Sequence, residues 1–460
     1  MSEPSLQPLE QHLLEALQAH HAMTDLVIAF SGGIDSKVLL HASVQLASKG
    51  LIGEVSAVHV DHGLQAESAQ WSSACQADCK RYAVKLEMTR LELDRQAKIN
   101  RQNHTNTEAL AREKRYQFFE SIITEKSCLL MAHHQDDQAE TLLFRLLRGC
   151  GLDGAAAMPL QRPLGKGRLL RPLLTISRSQ IEDYAQQNQL TWLEDPSNRS
   201  AAYSRNFLRH QVLTKIKQKW PAYAKTFSRF TLLADAQRQL AREIAEEDLE
   251  STLGSNTVFS SLSKAGESPL KIEKLQNLSL LRQKNLLHHW GLVQRTLAPS
   301  HSEIVEVIRQ LPAAETSSIE ISFAGGTIKS YQGQIYLINR TAPEPLTKKY
   351  SWLDLRKPLL LDNGLTLSAT TDSSGVLRAP NKNEPVSISA RNGGEKCCPQ
   401  YRQHSTSLKK IYQELGVPPW LREWLPLIYY GEEIAAVPGV FVVRKFAATE
   451  QQPSLALSLG

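Results

Sequence analysis

Six cysteines spread over 460 residues are too few for a disulfide scaffold. Cys75 and Cys79 make one CxxxC and Cys397 and Cys398 are adjacent, but no second pair sits at ligand spacing, so reduced, half-buried thiols are expected in place of a zinc site. Lys and Arg are missing before Lys37, which removes the basic n-region of a signal peptide, and no uninterrupted apolar run nears the ~20 residues that span a bilayer. A cytoplasmic protein with no membrane partner is the expectation. Internal repeats and long low-complexity tracts are absent as well, and 42% hydrophobic with 22% charged residues is an ordinary globular composition. The length exceeds what one hydrophobic core holds, which implies two or three domains. A net charge of +6 admits an acidic partner such as a nucleic acid without demanding one.

Up to about residue 195, short β-rich runs (26–30, 55–60, 86–91, 128–132) alternate with helical patterns (36–48, 67–82, 106–124, 136–147). That rhythm predicts βαβ units and an α/β fold with a parallel, doubly wound, Rossmann-like sheet. Ligands of such sheets bind beyond the carboxyl ends of the strands. "SGGIDS" follows the first strand, "HVDHG" the second and "HHQDDQAE" the fourth, so all three should share that edge. Between Pro196 and Ala234 there is no acid, while Arg199, Arg205, Arg209, Lys215, Lys217, Lys219, Lys225 and Arg229 are all basic. The spacing predicts a basic connecting helix near 200–220, then a mainly helical middle domain, then a small C-terminal α+β domain. The expected divisions are 1–218, 219–345 and 346–460.

The stretch "LVIAFSGGIDSKVLLHA" (26–42) puts a glycine turn between a buried strand and a helix. Gly32 and Gly33 let successive N–H groups face one concavity, and the helix from about Ser36 brings its positive end to the same place. This is an anion cradle, yet it lacks the Walker spacing and lysine. It suits holding a pyrophosphate leaving group while the α-phosphorus is attacked. In "HHQDDQAET", Asp136 and Glu140 are i,i+4 and Asp137 and Glu140 are i,i+3, so three acids share a helix face near its N-terminus. Dipole compensation explains part of that cluster, but not three acids at the ligand edge of a sheet. In "NTEALAREKRY", Glu108, Arg112 and Arg115 also share a face; such pairs are usually surface contacts worth a few tenths of a kcal/mol.

"SGGIDS" resembles the signature of the PP-loop ATP pyrophosphatases. "HVDHGLQ" (59–65), "NTEALAREKRYQFF" (106–119), "AHHQDDQAETLLFRLLRGCGLDG" (132–154) and the C-terminal "RNGGEKCCPQYRQHSTSLKKIYQELGVPPWLREWLPLIY" are similar to the tRNA(Ile)-lysidine synthetase family. The resemblance implies an ATP-dependent, AMP-forming carbon–nitrogen ligase with ATP and Mg²⁺ as cofactors. Its reaction joins free lysine to C2 of the wobble cytidine of tRNA(Ile) with a CAU anticodon, through an adenylated tRNA and with release of AMP and pyrophosphate.

The resemblance also implies roles. Ser31, Gly32, Gly33, Ile34, Asp35 and Ser36 would hold ATP, together with His59 and His133; Asp35 and Asp136 would hold Mg²⁺. Asp35, Asp137, Glu140 and Arg112 would carry the chemistry, with Asp137 and Glu140 binding the lysine ammonium and taking its proton. A lysine amine has a pKa of ≈ 10.4, so only about one molecule in 10³ is nucleophilic at neutral pH. The spacing does not divide base, lysine ligand and metal ligand among these acids. His59, Asp61 and His62 would form a substrate-side wall, and Gln65 stands where the family commonly has Arg.

For tRNA, Arg205 and Arg209 in the connecting helix and Lys409 and Lys410 in the last domain are the expected backbone contacts. Arg162, Lys166, Arg168, Arg171 and Arg178, in an acid-free stretch, extend that surface, as do Arg391, Lys396, Arg402 and Arg422 further on, with Tyr203, Phe207 and Trp220 interleaved. A homodimer stays open. Two other readings compete: a PP-loop tRNA thiolase, which needs a nucleophilic or cluster-binding cysteine, and a catalytically silent tRNA- or nucleotide-binding protein, which leaves the acid cluster unexplained.

Overall fold

The computed structural model describes residues 6–19, 25–61, 68–91, 104–193, 204–254, 268–294, 297–314, 318–339, 345–371, 375–449 and 452–459. His62, Gln65, Arg199 and Tyr203 lie outside them, and so does the side chain of Glu108. The chain forms two compact units, one up to Gln239 and one from Leu240 onward.

In the first unit, β1 (Asp25–Ala29), β2 (Glu54–Asp61), β3 (Lys85–Arg90) and β4 (Ser127–Leu130) are joined in turn by α2 (Ile34–Ser48), α3 (Ser68–Arg81) and α4 (His104–Ile122), and α1 (Pro8–Gln18), before β1, packs beside α2. The sheet order is β3-β2-β1-β4-β6-β5, parallel except for its last edge. Progression reverses between β1 and β4, so the crevice at their carboxyl ends is the switch point of a doubly wound sheet. β4 is buried along its length, as a strand covered on both faces requires, and β1 alternates between buried and less buried positions. The edge hairpin β5 (Gln161–Leu164) and β6 (Gly167–Leu170) was not expected; Gly165 at its tip has φ +55°, a signal present in "LGKGR". α5 (Gln135–Leu146) follows β4, and α6 (Arg178–Gln187) returns along the sheet.

The basic connecting segment is helical from Ser204 to Lys219, with a π-helical turn at Leu208–Val212. α7 (Tyr223–Thr252) follows and runs across the division between the units. Ala139 of α5 packs with Leu213, Tyr223 and Ala224, so a small residue lets the basic segment lie close against the acid-bearing helix.

Lys37 is 2% exposed and its Nζ pairs with Asp78 of α3, a quarter exposed. It is therefore turned into the sheet-helix layer and away from the cradle. Asp78→Leu would strand a buried ammonium; a loss of about 2–3 kcal/mol is expected, below the full cost of breaking a buried pair because Asp78 is partly hydrated. A urea midpoint unchanged from wild type would refute this.

The second unit starts with a helical region, α8 (Leu280–Val293) and α9 (His301–Gln310), backed by a small sheet of order β7-β10-β9-β8: β7 (Leu270–Lys271), β8 (Glu320–Phe323), β9 (Gly326–Tyr331) and β10 (Gln334–Asn339). Beyond it lie two antiparallel sheets, built from Tyr350–Ser351, Val386–Ser389, Leu427–Tyr430, Glu433–Val437 and Phe441–Val442, and from Leu359–Leu360, Thr366–Thr371, Leu377–Arg378 and Ser454–Leu459, around α10 (Leu408–Glu414). Ile388, Ile411, Tyr412, Leu427 and Ala435 are wholly buried in that C-terminal core.

Candidate active site

The turn after β1 is built around Gly32, at φ +83°, where a Cβ would also meet Cys75 Sγ at 3.0 Å. Only glycine satisfies both conditions. Gly33 is the N-cap of α2 and no side chain caps that helix, so its first-turn N–H groups are left for an anion. Ser36 Oγ donates to Gly33 O (3.0 Å) and accepts from Ser31 N–H (3.2 Å), which fixes the loop shape. A pocket of about 220 Å³ opens beside it. Val58, Val60, Phe119 and Met131 give it an apolar end suited to a base; Ser31, Ser36, Asp35, His133 and Asp137 make the other end polar.

Asp35 Oδ1 accepts from Arg178 Nη1 (2.7 Å) and lies 3.6 Å from His134 Nε2. Burial pushes the Asp35 carboxyl above its ordinary value despite the Arg178 guanidinium and the His134 ring beside it. Asp35 Oδ2 has no partner among the described residues, whereas both oxygens of Asp136 are used: Oδ2 by the Arg178 N–H (3.0 Å) and Oδ1 by the Tyr223 hydroxyl (3.3 Å). Asp35 therefore keeps one oxygen without a protein donor among the described residues. No group of three or more His, Cys, Asp or Glu among the described residues is arranged to hold a metal alone. One carboxylate with phosphate and water oxygens is the usual Mg²⁺ donor set, and Asp35 beside the anion cradle fits it.

His134, absent from the expected site, is its centre. Its Nδ1 accepts the Asp136 N–H (3.3 Å), which leaves Nε2 as the protonated nitrogen of the neutral ring. That nitrogen faces Asp35 Oδ1 and, at 3.4 Å, Asp137 Oδ2. The same Asp137 oxygen accepts the His134 N–H (3.1 Å), so Asp137 does cap α5 with one oxygen. Its other oxygen takes Arg209 Nη2 (3.0 Å), while Arg209 Nε donates to Glu140 Oε2 (2.8 Å).

The two acids are driven apart. Burial opposes ionisation of Asp137, but His134, Arg209 and the capping N–H outweigh it and hold that carboxyl below its ordinary value. Burial dominates at Glu140 and pushes it up in spite of Arg209. Asp137 is therefore the fixed charge and Glu140 the stronger base.

His133 lines the pocket. Its Nδ1 accepts from Arg171 Nε (3.2 Å), and burial with the neighbouring arginines pushes it down to about 4, so it is neutral with its proton on Nε2. Arg112 lies 5.2 Å over the ring of Tyr116, which Arg115 and Arg162 also face, placing a basic cluster beside the pocket wall formed by Arg115 and Phe119.

Several expected residues turn elsewhere. His59 is 6% exposed, with Nδ1 on Phe30 O (2.8 Å) and Nε2 on Ser72 Oγ (3.2 Å); both ring nitrogens are used inside the fold and it does not line the pocket. Arg171 is 3% exposed and does not extend a tRNA surface, and Arg178, 38% exposed, is held by Asp35 and Glu182. Arg422 is buried on Val417 O and Tyr331 Oη, and Arg402 is paired with Glu414. Lys409 and Lys410 are exposed on α10, and Arg205 stacks 5.7 Å over Phe144. Lys215, Lys217, Lys219, Lys225 and Arg229 are exposed beside Phe207 and Trp220, which are 50% and 59% exposed.

A doubly wound sheet whose first strand ends in an uncapped, glycine-turned helix start is a phosphate-binding arrangement of nucleotide-binding α/β proteins, and the match of a PP-loop domain model to residues 6–216 makes this one a PP-loop protein. Two further models, the TilS substrate binding domain and the TilS substrate C-terminal domain, match 270–336 and 386–459. The tRNA(Ile)-lysidine synthase of Nitrosomonas europaea is 37% identical, covering 94% of this chain and 91% of that one. Those of Serratia proteamaculans (36%; 97% and 97%) and Coxiella burnetii (33%; 96% and 94%) are similarly related. The chain belongs to the tRNA(Ile)-lysidine synthase family.

Proposed function

We infer that the chain is an ATP-dependent ligase that joins lysine to C2 of the wobble cytidine of tRNA(Ile), forming lysidine, with AMP and pyrophosphate as the other products. The observation that carries the mechanism is His134, whose imidazole stands between Asp35 of the phosphate loop and Asp137 of the acid pair. Cradle and acid pair are thereby one site. The first-turn N–H groups of α2 take the β- and γ-phosphates as negative charge builds on the leaving group. The cytidine C2 oxygen attacks the α-phosphorus, which converts a poor leaving group into AMP. Asp137 then holds the lysine ammonium, Glu140 accepts its proton, and the amine displaces AMP at C2. Bound Mg²⁺ would neutralise phosphate charge, held on the protein side by Asp35. Lysine as free substrate, the CAU anticodon and a cytoplasmic setting belong to this reading, which leaves a homodimer open; among the described residues no helix is long and apolar enough to cross a membrane. We keep three domains, divided near 218 and 345, with the latter two positioning tRNA.

Incubation with ATP, labelled lysine and unmodified tRNA should place label in the tRNA and release AMP and pyrophosphate. ADP as the stoichiometric product would overturn adenylation. The thiolase reading is opposed by the thiols: Cys75 and Cys128 are buried and pushed up to about 12, Cys79 to about 11, and none lines the pocket. A silent binding protein is opposed by the split acid pair.

Binding of tRNA should be strongly salt-dependent. Replacing Lys409 and Lys410 by Gln is expected to reduce the slope of log K against log salt by about 1–2 and to weaken binding to all tRNAs alike. An unchanged slope would remove α10 from the interface.

A further inference from the structure

Arg209 was expected on the outer, tRNA-facing surface, but its guanidinium bridges the two acids assigned to the lysine amine. It does so from a π-helical turn, Leu208–Val212, a geometry uncommon outside functional sites. We propose that Arg209 is a resident cation that closes the amine subsite of the tRNA-free enzyme, and that a tRNA backbone phosphate draws it out, so that lysine is admitted only once tRNA is bound. This rests on the assignment of Asp137 and Glu140 to the amine.

Glu140 is 6% exposed, so its carboxylate requires a cation whenever it is ionised. Nε donates to Glu140 Oε2 at 2.8 Å and Nη2 to Asp137 Oδ1 at 3.0 Å, which are the contacts an ε-ammonium would make. Guanidinium and ammonium cannot both sit there without like charges a few ångström apart. The occupant is also within reach of a competitor. The Arg209 side chain is 43% exposed although its donors point inward, and the same acid-free segment exposes Lys215, Lys217 and Lys219, which would bring phosphate close. Arg pairs with phosphate as readily as with carboxylate. Removing it leaves both acids without the cation that bridges them, a site that an ε-ammonium can refill. The consequence is ordered addition. A nucleophilic amine does not stand beside ATP until the cytidine is in place.

The test is equilibrium dialysis of labelled lysine against the full-length protein with a non-hydrolysable ATP analogue, with and without tRNA. The wild type should bind lysine at least about tenfold more tightly with tRNA, because the open state is a minor population without it. Arg209→Gln should bind lysine in the absence of tRNA nearly as tightly as the wild type does in its presence. Arg209→Lys, which keeps a cation on the segment and guards against misfolding of the Gln variant, should retain a tRNA requirement. Equal lysine affinity of the wild type with and without tRNA would overturn the proposal, as would unchanged tRNA-free affinity in Arg209→Gln. Asp137→Asn serves as the control on the underlying assignment: loss of lysine binding in the tRNA complex upholds it, and wild-type binding removes both it and the gate.

Discussion

Glu140→Gln is expected to let adenylated tRNA accumulate while lysine incorporation falls by about 10²- to 10⁴-fold, the usual worth of a positioned general base. The amide keeps the volume and accepts from Arg209, but it can neither take a proton nor attract a cation as strongly. Folding should survive the change. Burial raises the Glu140 carboxyl, so its contribution to stability is fully present below the ordinary carboxylate value and is lost as pH rises through the raised one. At neutral pH the wild type already bears that loss, and a neutral isostere relieves it. The same sign sets the pH profile: lysine transfer should decline as pH falls through a value above that of a free glutamate, with Asp137 still ionised. Asp137→Asn should share the phenotype and also lose part of the α5 cap, costing about 0.5–2 kcal/mol. Quench-flow detection of the AMP-linked tRNA, with and without lysine, separates the outcomes. Near-normal turnover would reduce both acids to helix-capping residues, and loss of adenylation itself would move them to the first half-reaction.

The phosphate loop and the acid helix were legible because each is written in consecutive residues. A glycine pair after a buried strand fixes backbone N–H groups without help from distant chain, and acids three and four apart share a helix face by geometry alone. The strands around them follow from β-rich runs of ordinary length; their order β3-β2-β1-β4 does not, because right-handed crossovers are compatible with several orders. The edge hairpin and the two-residue strands of the C-terminal unit were not legible, since so short a run carries no period.

Arginine is where reading by sequence failed most. Arg171, Arg178, Arg209 and Arg422 look like members of basic surface runs, yet each is held by partners far away in sequence: His133, Asp35, Glu140 and Tyr331. A long side chain with a rigid fork reaches wherever tertiary packing leaves an unpaired acceptor, and charge counts along the chain cannot show that. Histidine failed in both directions for a related reason. His59 lost both nitrogens to the fold, while His134 became the bridge because it caps α5.

Asp35→Asn is expected to lower the first half-reaction by about 10²- to 10³-fold, the scale on which electrostatic groups aimed at developing charge act. Asp35 lies in the first turn of α2, at the mouth of the uncapped helix start, and one of its oxygens has no protein donor among the described residues. Burial raises its carboxyl even with Arg178 and His134 beside it, so those two do not fully offset the charge. That deficit suits a residue that meets a further cation carried in with ATP. The sign again predicts that the variant folds: a carboxyl raised in the native state weakens stability as pH rises through its native value, so neutralising Asp35 should not destabilise the protein at neutral pH. Arg178→Gln makes the converse case, because Asp35 would lose its shortest contact, the one that ties the α6 start to the loop, while the residue-178 backbone N–H stays on Asp136. Pyrophosphate release in a single turnover with excess tRNA, without lysine, reads the first half-reaction alone. A slow release restored by higher Mg²⁺ in Asp35→Asn would mark a weakened metal contact. Release within about fivefold of wild type at all Mg²⁺ concentrations would take Asp35 out of the active site and leave the backbone cradle to hold the phosphates unaided.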